Sequence, residues 1–394
     1  MSYSGGMLKT AHISAANRLK RQVDEQIYEP DAALNPFLYL CNLNGKTLGS
    51  PEFESMYRES VARQDTVATA GALAGDVTIP VDISSMWRVY DTAVNMRTRE
   101  MIFVTGVDTA LGTITVQRGI GNAGAAAAML DNDVLALCGS AAPEGDTRMA
   151  SVHSQPTFVS QYMQIHKATH SISNTNLNTD AYGPDQLQDD KDVTERRYWM
   201  EKERCYLFGG RHKITSGAET IRFTGGLIPM ISGVSGAVTN QAGTITKKQL
   251  DDWLMPKFDY GNPEGIKIAL VNSFLSGVFA RLMEGYLEAS MDMRELGWMI
   301  TDYKSPGGGI LRLQPYRTLS RLIPGSGAMI VIDPNLVGTR TLKNRATKYH
   351  TAAVDSNFVD GIIGEFIGED GLDVRGVTPT TSAHGFIYGI TDAA

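Results

Sequence analysis

The sequence predicts an α+β fold, and three observations support this class. Four strand-length runs rich in β-branched residues follow one another between 76 and 138, with glycine or aspartate at the turns. Residues 158–173 largely alternate apolar and polar side chains, as a half-buried strand does. Residues 185–209 instead have the pattern of one long helix.

Composition limits the classes of protein to which the chain can belong. Its 394 residues are 42% hydrophobic and 20% charged, so the chain can bury a core and is not intrinsically disordered. The net charge is 36 − 43 = −7, which excludes the overall basic field of a free-standing DNA-binding domain. The polar N-terminus is no signal peptide, and no apolar run reaches the ~18 residues of a membrane span. We therefore expect synthesis inside a cell and no membrane partner.

The first 75 residues are expected to form an arm rather than a compact domain. Small apolar clusters, such as residues 35–43, are separated by glycine, proline and charged turns. Residues 10–29 can form a short helix with Leu19, Val23 and Ile27 on one face. Such a segment has no core of its own and must pack against another part of the structure.

The next two segments continue with strands. Residues 76–140 contain the four runs and are expected to form a small all-β module. Residues 141–184 include the alternating segment, whose phase slip near Gln161 predicts a bulge or a two-sided hairpin arm. An arm of this kind has no core of its own and exposes strand edges, which need a neighbour to cover them.

The long helical segment has clear ends and a narrow apolar stripe. Asp185 follows a proline and can cap its start, and Gly209 can end it. Val193, Met200 and Leu207 recur every seven residues and are expected to form the buried stripe. A helix with so narrow a stripe should lie along a surface.

Three glutamates of this helix are candidates for a catalytic acid–base pair: Glu195, Glu201 and Glu203. They alternate with arginine and lysine along the helix. We therefore interpret them as members of solvated or interfacial ion pairs.

Residues 226–345 alternate between helices and strands. The pattern predicts helices at Lys247–Leu254 and over 273–289, the second one capped by Asn272 or Ser273. Strands are expected at 266–271, 309–316 and 327–334. The rest of the chain holds further short strands.

Motifs that carry chemistry are missing from the sequence. A P-loop would need a glycine where Leu40 stands, and no zinc-protease, nucleophile-elbow or EF-hand motif occurs. His166 and His170 fall on a predicted strand without a third ligand nearby, so we interpret them as surface histidines. We expect no catalytic residue, cofactor or metal ion, and no enzyme activity. Three widely spaced cysteines are expected to be buried or half-buried thiols: Cys41, Cys138 and Cys205.

A small basic cluster follows the last predicted strand of the 226–345 segment. It comprises Lys343, Arg345 and Lys348. Such a cluster is either a solvated face or a contact for nucleic acid or for an acidic neighbour. The sequence leaves these alternatives open.

Five strings in a fixed order carry a resemblance to a known family. They are AAPEG (141–145), FVSQYMQIHKATHSIS (158–173), DDKDVTERRYWMEKERCYLFGG (189–210), FTGGLIPMI (223–231) and LRLQPYRTLSRLIPGSGAMIVIDPN (311–335). This order resembles that of tailed-phage major capsid proteins with the HK97-like fold, in particular the SU10-like subgroup. The run over 100–119 is similar to a β insertion that some of these proteins carry. The resemblance covers most of residues 76–394, and its specificity lies in the order of the strings.

The resemblance implies a role for each segment. The implied pieces are an N-terminal arm (1–75), an inserted all-β module (76–140), an extended loop (141–184), a peripheral domain with a spine helix (185–225), a mainly axial domain (226–345) and C-terminal strands that return to the peripheral domain (346–394). The arm and the extended loop would reach neighbouring subunits. The residues expected at these contacts are Phe37, Tyr39, Phe158, Tyr162, Ile165 and His166.

The resemblance also implies a function. The chain would be a major capsid protein whose pentamers and hexamers close into an icosahedral shell around double-stranded DNA. The implied partners are copies of the chain, a separate scaffolding protein, a portal, a decoration protein and DNA bound without sequence specificity. Assembly would take place in the host cytoplasm, and the final location would be the virion. The rival classes are an encapsulin-like shell, a phage tail or decoration protein, and an enzyme with a β accessory domain.

Overall fold

The structure is a computed structural model that describes most of the chain in two units. The described residues are 35–58, 64–121, 125–145, 151, 156–179, 185–217, 219–261, 265–282, 287–289, 301–305, 309–352, 360–379 and 381–393. The predicted arm helix at 10–29 lies outside them, as do parts of the predicted extended loop. The first compact unit comprises Met1–Tyr57 and Phe158–Ala394, and the second is Arg58–Thr157.

Helices and strands both occur in quantity, which confirms the α+β prediction. Within the described residues the helices are α1 (Pro36–Leu43), α2 (Asn174–Leu177), α3 (Gln186–Phe208), α4 (Leu227–Ile231), α5 (Lys247–Phe258), α6 (Ser273–Leu282) and α7 (Arg317–Leu322). The strands before α3 are β1 (Lys46–Leu48), β2 (Glu52–Tyr57), β3 (Gln64–Thr66), β4 (Thr78–Pro80), β5 (Asp91–Asn95), β6 (Met101–Asp108), β7 (Thr113–Gln117), β8 (Val134–Ser140), β9 (Thr157–Tyr162) and β10 (Gln164–Ser173). The strands after α3 are β11 (His212–Ser216), β12 (Glu219–Phe223), β13 (Val238–Ile245), β14 (Ile266–Val271), β15 (Leu287–Ala289), β16 (Thr301–Lys304), β17 (Ile310–Pro315), β18 (Gly327–Ile332), β19 (Val337–Leu342), β20 (Lys348–Ala352), β21 (Gly361–Val374) and β22 (Gly385–Ala393).

The second unit is a six-stranded antiparallel sheet. Its strand order is β3-β8-β5-β6-β7-β4. The core side chains include Ile79, Ile102, Ile114 and Leu135. This sheet agrees with the expected all-β module, but it begins at Gln64 and not at residue 76. The apolar pattern missed β3 because all three of its residues are polar.

Buried polar side chains support the core of the second unit. The Asp65 carboxylate accepts hydrogen bonds from Trp87 Nε1 at 2.7 Å and from the Ile83 amide at 3.1 Å. Arg118 and Glu100 form a buried ion pair at 2.7 Å. Each buried charge therefore has a partner of opposite charge or several donors, as burial requires.

A five-stranded sheet around the long strand β21 forms one part of the first unit. The order is β1-β19-β21-β10, and β20 also pairs with β21. β10 pairs antiparallel with β21 along its whole length, and α3 packs on both strands. The strand breaks at Met163, between β9 and β10, close to the predicted phase slip. Residues 164–173 thus lie in the sheet of their own subunit, which corrects the expectation that 141–184 lacks a core.

Glycines in β21 allow aromatic side chains to lie close against the strand. A Cβ at Gly368 would stand 2.7 Å from the Tyr198 hydroxyl oxygen on α3. A Cβ at Gly364 would stand 2.3 Å from the Tyr349 hydroxyl oxygen on β20. Any larger residue at either position would push α3 or β20 away from the sheet.

A seven-stranded mixed sheet forms the other part of the first unit. Its order is β13-β22-β18-β14-β17-β16-β15, and only the β13–β22 and β14–β17 pairs are parallel among the described residues. The predicted strands at 266–271 and 327–334 correspond to β14 and β18 near its centre. The last strand, β22, lies in this sheet and not beside β21. The strands over 346–394, which the resemblance implies all return to the peripheral domain, are therefore divided between the two sheets.

Two helices beside this sheet differ from their predicted bounds. α5 extends about one turn beyond its predicted end, to Phe258. α6 begins at the predicted cap, since the Asn272 side-chain oxygen accepts a hydrogen bond from the Leu275 amide at 2.9 Å. It ends at Leu282, so the helix predicted up to residue 289 is wrong. Residues 287–289 pair with β16 instead, because sheet pairing outweighs a local helical pattern.

The long helix α3 has the predicted caps. The Asp185 side chain accepts a hydrogen bond from the Leu187 amide at 3.1 Å, and the Gly209 amide donates to the Cys205 carbonyl at 2.8 Å. One apolar core joins α3 to α1, α4 and strands of both sheets. In the described part of the chain, no helix is long and apolar enough to cross a membrane.

Candidate assembly surfaces

The six residues predicted to contact other subunits fall into two groups. Tyr39, Phe158 and Ile165 are exposed, and Tyr162 is half-buried. Phe37 and His166 are buried, with 0% and 8% of their surface exposed. These two side chains are used inside their own subunit, so the other four are the ones that offer surface to a neighbour.

Strand β10 turns alternate side chains inward, and both of its histidines are on the buried side. This corrects the interpretation of His166 and His170 as surface histidines. His166 Nε2 lies 3.5 Å from the Asp370 carboxylate, yet burial lowers the pKa of His166 to about 4. His170 stacks on Tyr349 and shares a hydrogen bond of 2.9 Å with its hydroxyl group.

A buried ion pair joins the long helix to the long strand. Lys202 on α3 and Asp370 on β21 are 3% and 2% exposed, and the ammonium group contacts the carboxylate directly. The Tyr206 hydroxyl donates to the other carboxylate oxygen at 2.7 Å. Since loss of one partner would leave a buried charge, this group fixes α3 on the sheet.

Glu203, the next residue on α3, is buried without an ionic partner among the described residues. The Tyr316 hydroxyl and the backbone amides of Phe37 and Leu38 face its carboxylate. Neither carboxylate oxygen makes a hydrogen bond of good geometry within the described chain. Burial raises the pKa of Glu203 to about 7. The expected solvated or interfacial ion pair is therefore wrong for this residue, because α1 covers it; Glu201 is the exposed one.

Two separate strand pairs carry exposed apolar side chains in the first unit. β2 pairs with β9, and β11 pairs with β12. Glu52 on β2 binds Lys213 at 2.6 Å and Arg222 at 3.3 Å, which links the two pairs. The other face of the β11–β12 hairpin exposes Ile214 and Ile221, which lie directly opposite each other.

An open cleft lies beside these strand pairs. Its volume is about 520 Å³, and its lining includes Tyr57, Val159, Met230, Val234, Val374 and Val377. Apolar surface of this kind is typical of a contact between proteins. The cleft and the exposed residues of β2, β9, β11 and β12 are candidate surfaces for assembly.

The predicted basic cluster lies in the turn between β19 and β20 and at the start of β20. Lys343, Arg345 and Lys348 are all exposed. Arg345 Nε lies 3.2 Å from the Glu369 carboxylate, so part of the positive charge is balanced within the chain. The Lys343 amide donates to the Leu48 carbonyl at 2.8 Å, which holds the turn against β1.

Among the described residues, no group of three His, Cys, Asp or Glu side chains could hold a metal ion. Cys41 is buried and Cys205 is half-buried, as expected, whereas Cys138 is exposed, because it lies near the end of β8, beyond the residues that pair with β3. Burial raises the pKa of Cys205 to about 11, so this thiol stays protonated at neutral pH.

Solved structures of known proteins are similar to this one at low sequence identity. A structure from Mycobacterium phage Bobi is 10% identical, with 97% of this chain and 98% of that chain covered and a TM-score of 0.50. The capsid of Myoviridae phage XM1 is 9% identical, with 98% and 100% covered and a TM-score of 0.48. The SrpI encapsulin complex from Synechococcus elongatus PCC 7942 is 10% identical, with 98% and 96% covered and a TM-score of 0.42. A search of curated proteins finds no match.

The fold defines the class of the protein: a subunit with the HK97-like capsid fold. The sequence defines the family more closely, because the SU10 major capsid protein family model matches residues 7–391. The chain belongs to this family and is a major capsid protein of a tailed phage. It is a structural protein of the virion that assembles with copies of itself into a shell, and it is not an enzyme. This confirms the resemblance and decides against the encapsulin and enzyme alternatives.

Proposed function

We propose that the copies form pentamers and hexamers that close into an icosahedral shell around double-stranded DNA. The family match over residues 7–391 carries this proposal. Identical subunits with closed symmetry reuse the same contacts many times. Individually weak contacts therefore add up to a stable shell.

We propose the following roles for the parts of the chain. The five-stranded sheet with α3 is the peripheral domain, and α3 is its spine helix. The seven-stranded sheet is the axial domain, whose copies meet at the five- and six-fold positions. The β2–β9 ribbon is the base of the extended loop, and Arg58–Thr157 is the insertion between its two strands. This division is supported by the strand pairing, although it differs from the expected boundaries at 76, 141 and 346.

Four exposed or half-exposed residues are the proposed contacts with neighbouring subunits: Tyr39, Phe158, Tyr162 and Ile165. Phe158 and Tyr162 belong to a two-stranded ribbon with unpaired outer edges among the described strands. An unpaired edge with exposed aromatic side chains favours cover by another chain. Ile165 is on the outward face of β10.

Further partners are proposed from the class of protein. They are a separate scaffolding protein, a portal, a decoration protein and packaged DNA, with assembly in the host cytoplasm. DNA contact is non-specific, and the cluster of Lys343, Arg345 and Lys348 is its candidate site. An acidic neighbouring subunit is the alternative partner for these side chains. The net charge of −7 is compatible with DNA that slides along the wall during packaging.

Electron microscopy of the native material tests the proposal. We expect closed shells with pentamer and hexamer positions and with DNA inside. Shells that enclose protein without DNA would instead support an encapsulin-like container, and tubes would support a tail protein. A compact monomer or dimer in the native source would overturn the proposal.

A further inference from the structure

Helix α1 is held differently at its two ends. Its C-terminal end is tied to β19, where the Thr339 hydroxyl donates to Asn42 at 2.9 Å and the Asn44 amide group donates to the Val337 carbonyl at 3.0 Å. At its N-terminal end, the cap residue Asn35 makes no side-chain hydrogen bond to the helix. The first-turn amides there face the Glu203 carboxylate of α3 instead.

Helix α1 supplies no positively charged side chain to balance the Glu203 carboxylate. Asn35–Asn44 contain no charged side chain, and the titratable thiol of Cys41 is buried and has a raised pKa. Tyr316, which precedes α7, faces the carboxylate, and burial also raises its pKa, so it stays neutral. On α3 itself, Lys202 is committed to Asp370.

Two physical effects on Glu203 oppose each other. The N-terminus of a helix favours a negative charge, and the Phe37 and Leu38 amides lower the pKa of Glu203. Removal of the carboxylate from water disfavours the charge. The second effect is the larger one, since the pKa rises from 4.5 to about 7.

We propose that Glu203 is a proton-operated latch for helix α1: its neutral carboxyl allows the helix to pack in the core, and its ionised form loosens the N-terminal end. The tied C-terminal end acts as the pivot. The latch therefore couples pH to the packing of α1 against α3, which is additional to the role of the chain in building a shell.

The direction of the pH dependence follows from the raised pKa. The packed state binds a proton more tightly than the loosened state, whose Glu203 has the ordinary value of 4.5. Packing is therefore strongest below pH 4.5 and weakens as pH rises to about 7. The shift corresponds to a change of roughly 100- to 1,000-fold in the packing equilibrium, with a plateau above pH 7.

Other buried titratable groups act elsewhere or with the opposite sign. Burial lowers the pKa values of His166 and His384 to about 4, so these groups weaken the fold as pH falls. Lys257, whose pKa burial lowers to about 8, donates to the Gly236 carbonyl beside α5. A measurement confined to α1 separates Glu203 from these groups.

Hydrogen exchange of the peptide 35–44, followed by mass spectrometry between pH 5 and 8.5, tests the proposal on the full chain. After correction for intrinsic exchange rates, we expect the opening of this peptide to rise about 40-fold from pH 5 to 7 and to level off above about pH 8. Glu203→Gln should remove the pH dependence. Glu201→Gln, an exposed control on the same helix, should keep it.

A second variant keeps the proposal testable if Glu203→Gln does not fold. Tyr316→Phe removes a hydroxyl group that lowers the pKa of Glu203. The rise in opening should then extend to higher pH than in the unmodified chain. The proposal is overturned if opening is independent of pH in the unmodified chain, if it falls as pH rises, or if Glu203→Gln retains the full dependence.

Discussion

Polar side chains, more than aliphatic ones, determine how helix α3 sits on its sheet. Lys202 and Asp370 form an ion pair, and the Tyr206 hydroxyl donates a hydrogen bond to the same carboxylate. Glu203 is one position further and faces α1 without such a partner among the described residues. The ion pair of Lys202 with Asp370 therefore fixes α3 on the sheet. The carboxyl group of Glu203, in contrast, makes the contact between α3 and α1 sensitive to pH.

The buried pair gives a prediction about stability. Asp370→Asn should destabilise the subunit by about 3–5 kcal/mol, because Lys202 is then buried without its counter-charge. Denaturant unfolding followed by tryptophan fluorescence measures this change. Asp252→Asn removes the partner of Lys248 in an exposed pair, and its effect should be too small to measure. Equal stability of both variants would show that the buried pair does not fix the helix.

His166 gives a prediction about pH. Its pKa is lowered from 6.5 to about 4, so the unfolded chain binds the proton more tightly. Stability should therefore fall as pH drops from 6.5 to 4, by about 3 kcal/mol for this group. His166→Gln should reduce the fall in unfolding free energy over this range by about 3 kcal/mol, while the equal contribution of His384 remains. An unchanged slope would mean that His166 becomes charged without cost. Glu203 opposes this trend between pH 4.5 and 7.

Among the elements, strong end signals and continuous apolar runs predicted the structure well. The caps of α3 and the apolar runs of β14 and β18 are where the pattern places them. The buried face of α3 was predicted only in part: of the expected stripe, Leu207 is buried, Met200 is half-buried and Val193 is exposed. The buried face repeats every four residues through Thr194, Tyr198, Lys202 and Tyr206. The signal was the line of tyrosines on either side of Lys202, but a charged residue is ordinarily read as solvated.

Long-range pairing accounts for the elements that the sequence did not predict. The alternation in β10 indicated a half-buried strand, but not that its partner is β21, which lies about two hundred residues later. The helical pattern over 273–289 yields to the pairing of β15 with β16. Neither outcome is encoded in a local window, because the partner strands supply the deciding hydrogen bonds.

The β2–β9 ribbon and the outward face of β10 give a prediction about assembly. A double variant, Phe158→Ser with Ile165→Ser, should fold normally but reduce the yield of closed shells at least roughly tenfold, because each lost apolar contact is repeated in every subunit. Sedimentation and electron microscopy measure the yield. Thr169→Ala, on the same outward face of β10, is the control. A normal yield of shells from the double variant would show that Phe158 and Ile165 are not needed for contact between subunits.

For the whole molecule, the order of the pieces was more informative than any single motif. It indicated the capsid class, which the family match confirms. The boundaries of the parts were less predictable, because β3 joins the inserted sheet through polar residues and β22 returns to the seven-stranded sheet. When a chain crosses between sheets in this way, its contacts join residues that are far apart in the sequence. Local sequence patterns therefore do not predict where one part ends and the next begins.

The second unit is expected to fold without the rest of the chain. The described strands between residues 64 and 140 pair with one another in a single sheet that has its own apolar core and buried polar partners. The excised fragment should therefore unfold cooperatively in a thermal scan followed by circular dichroism. Asp65→Ala should lower its midpoint by roughly 5–15 °C, because Trp87 Nε1 loses its acceptor and a domain of this size shifts by about 4–8 °C per kcal/mol. Asp131→Ala, an exposed control, should leave the midpoint unchanged. A fragment without a cooperative transition would mean that the inserted sheet depends on the capsid fold around it, and that the subunit folds as one body.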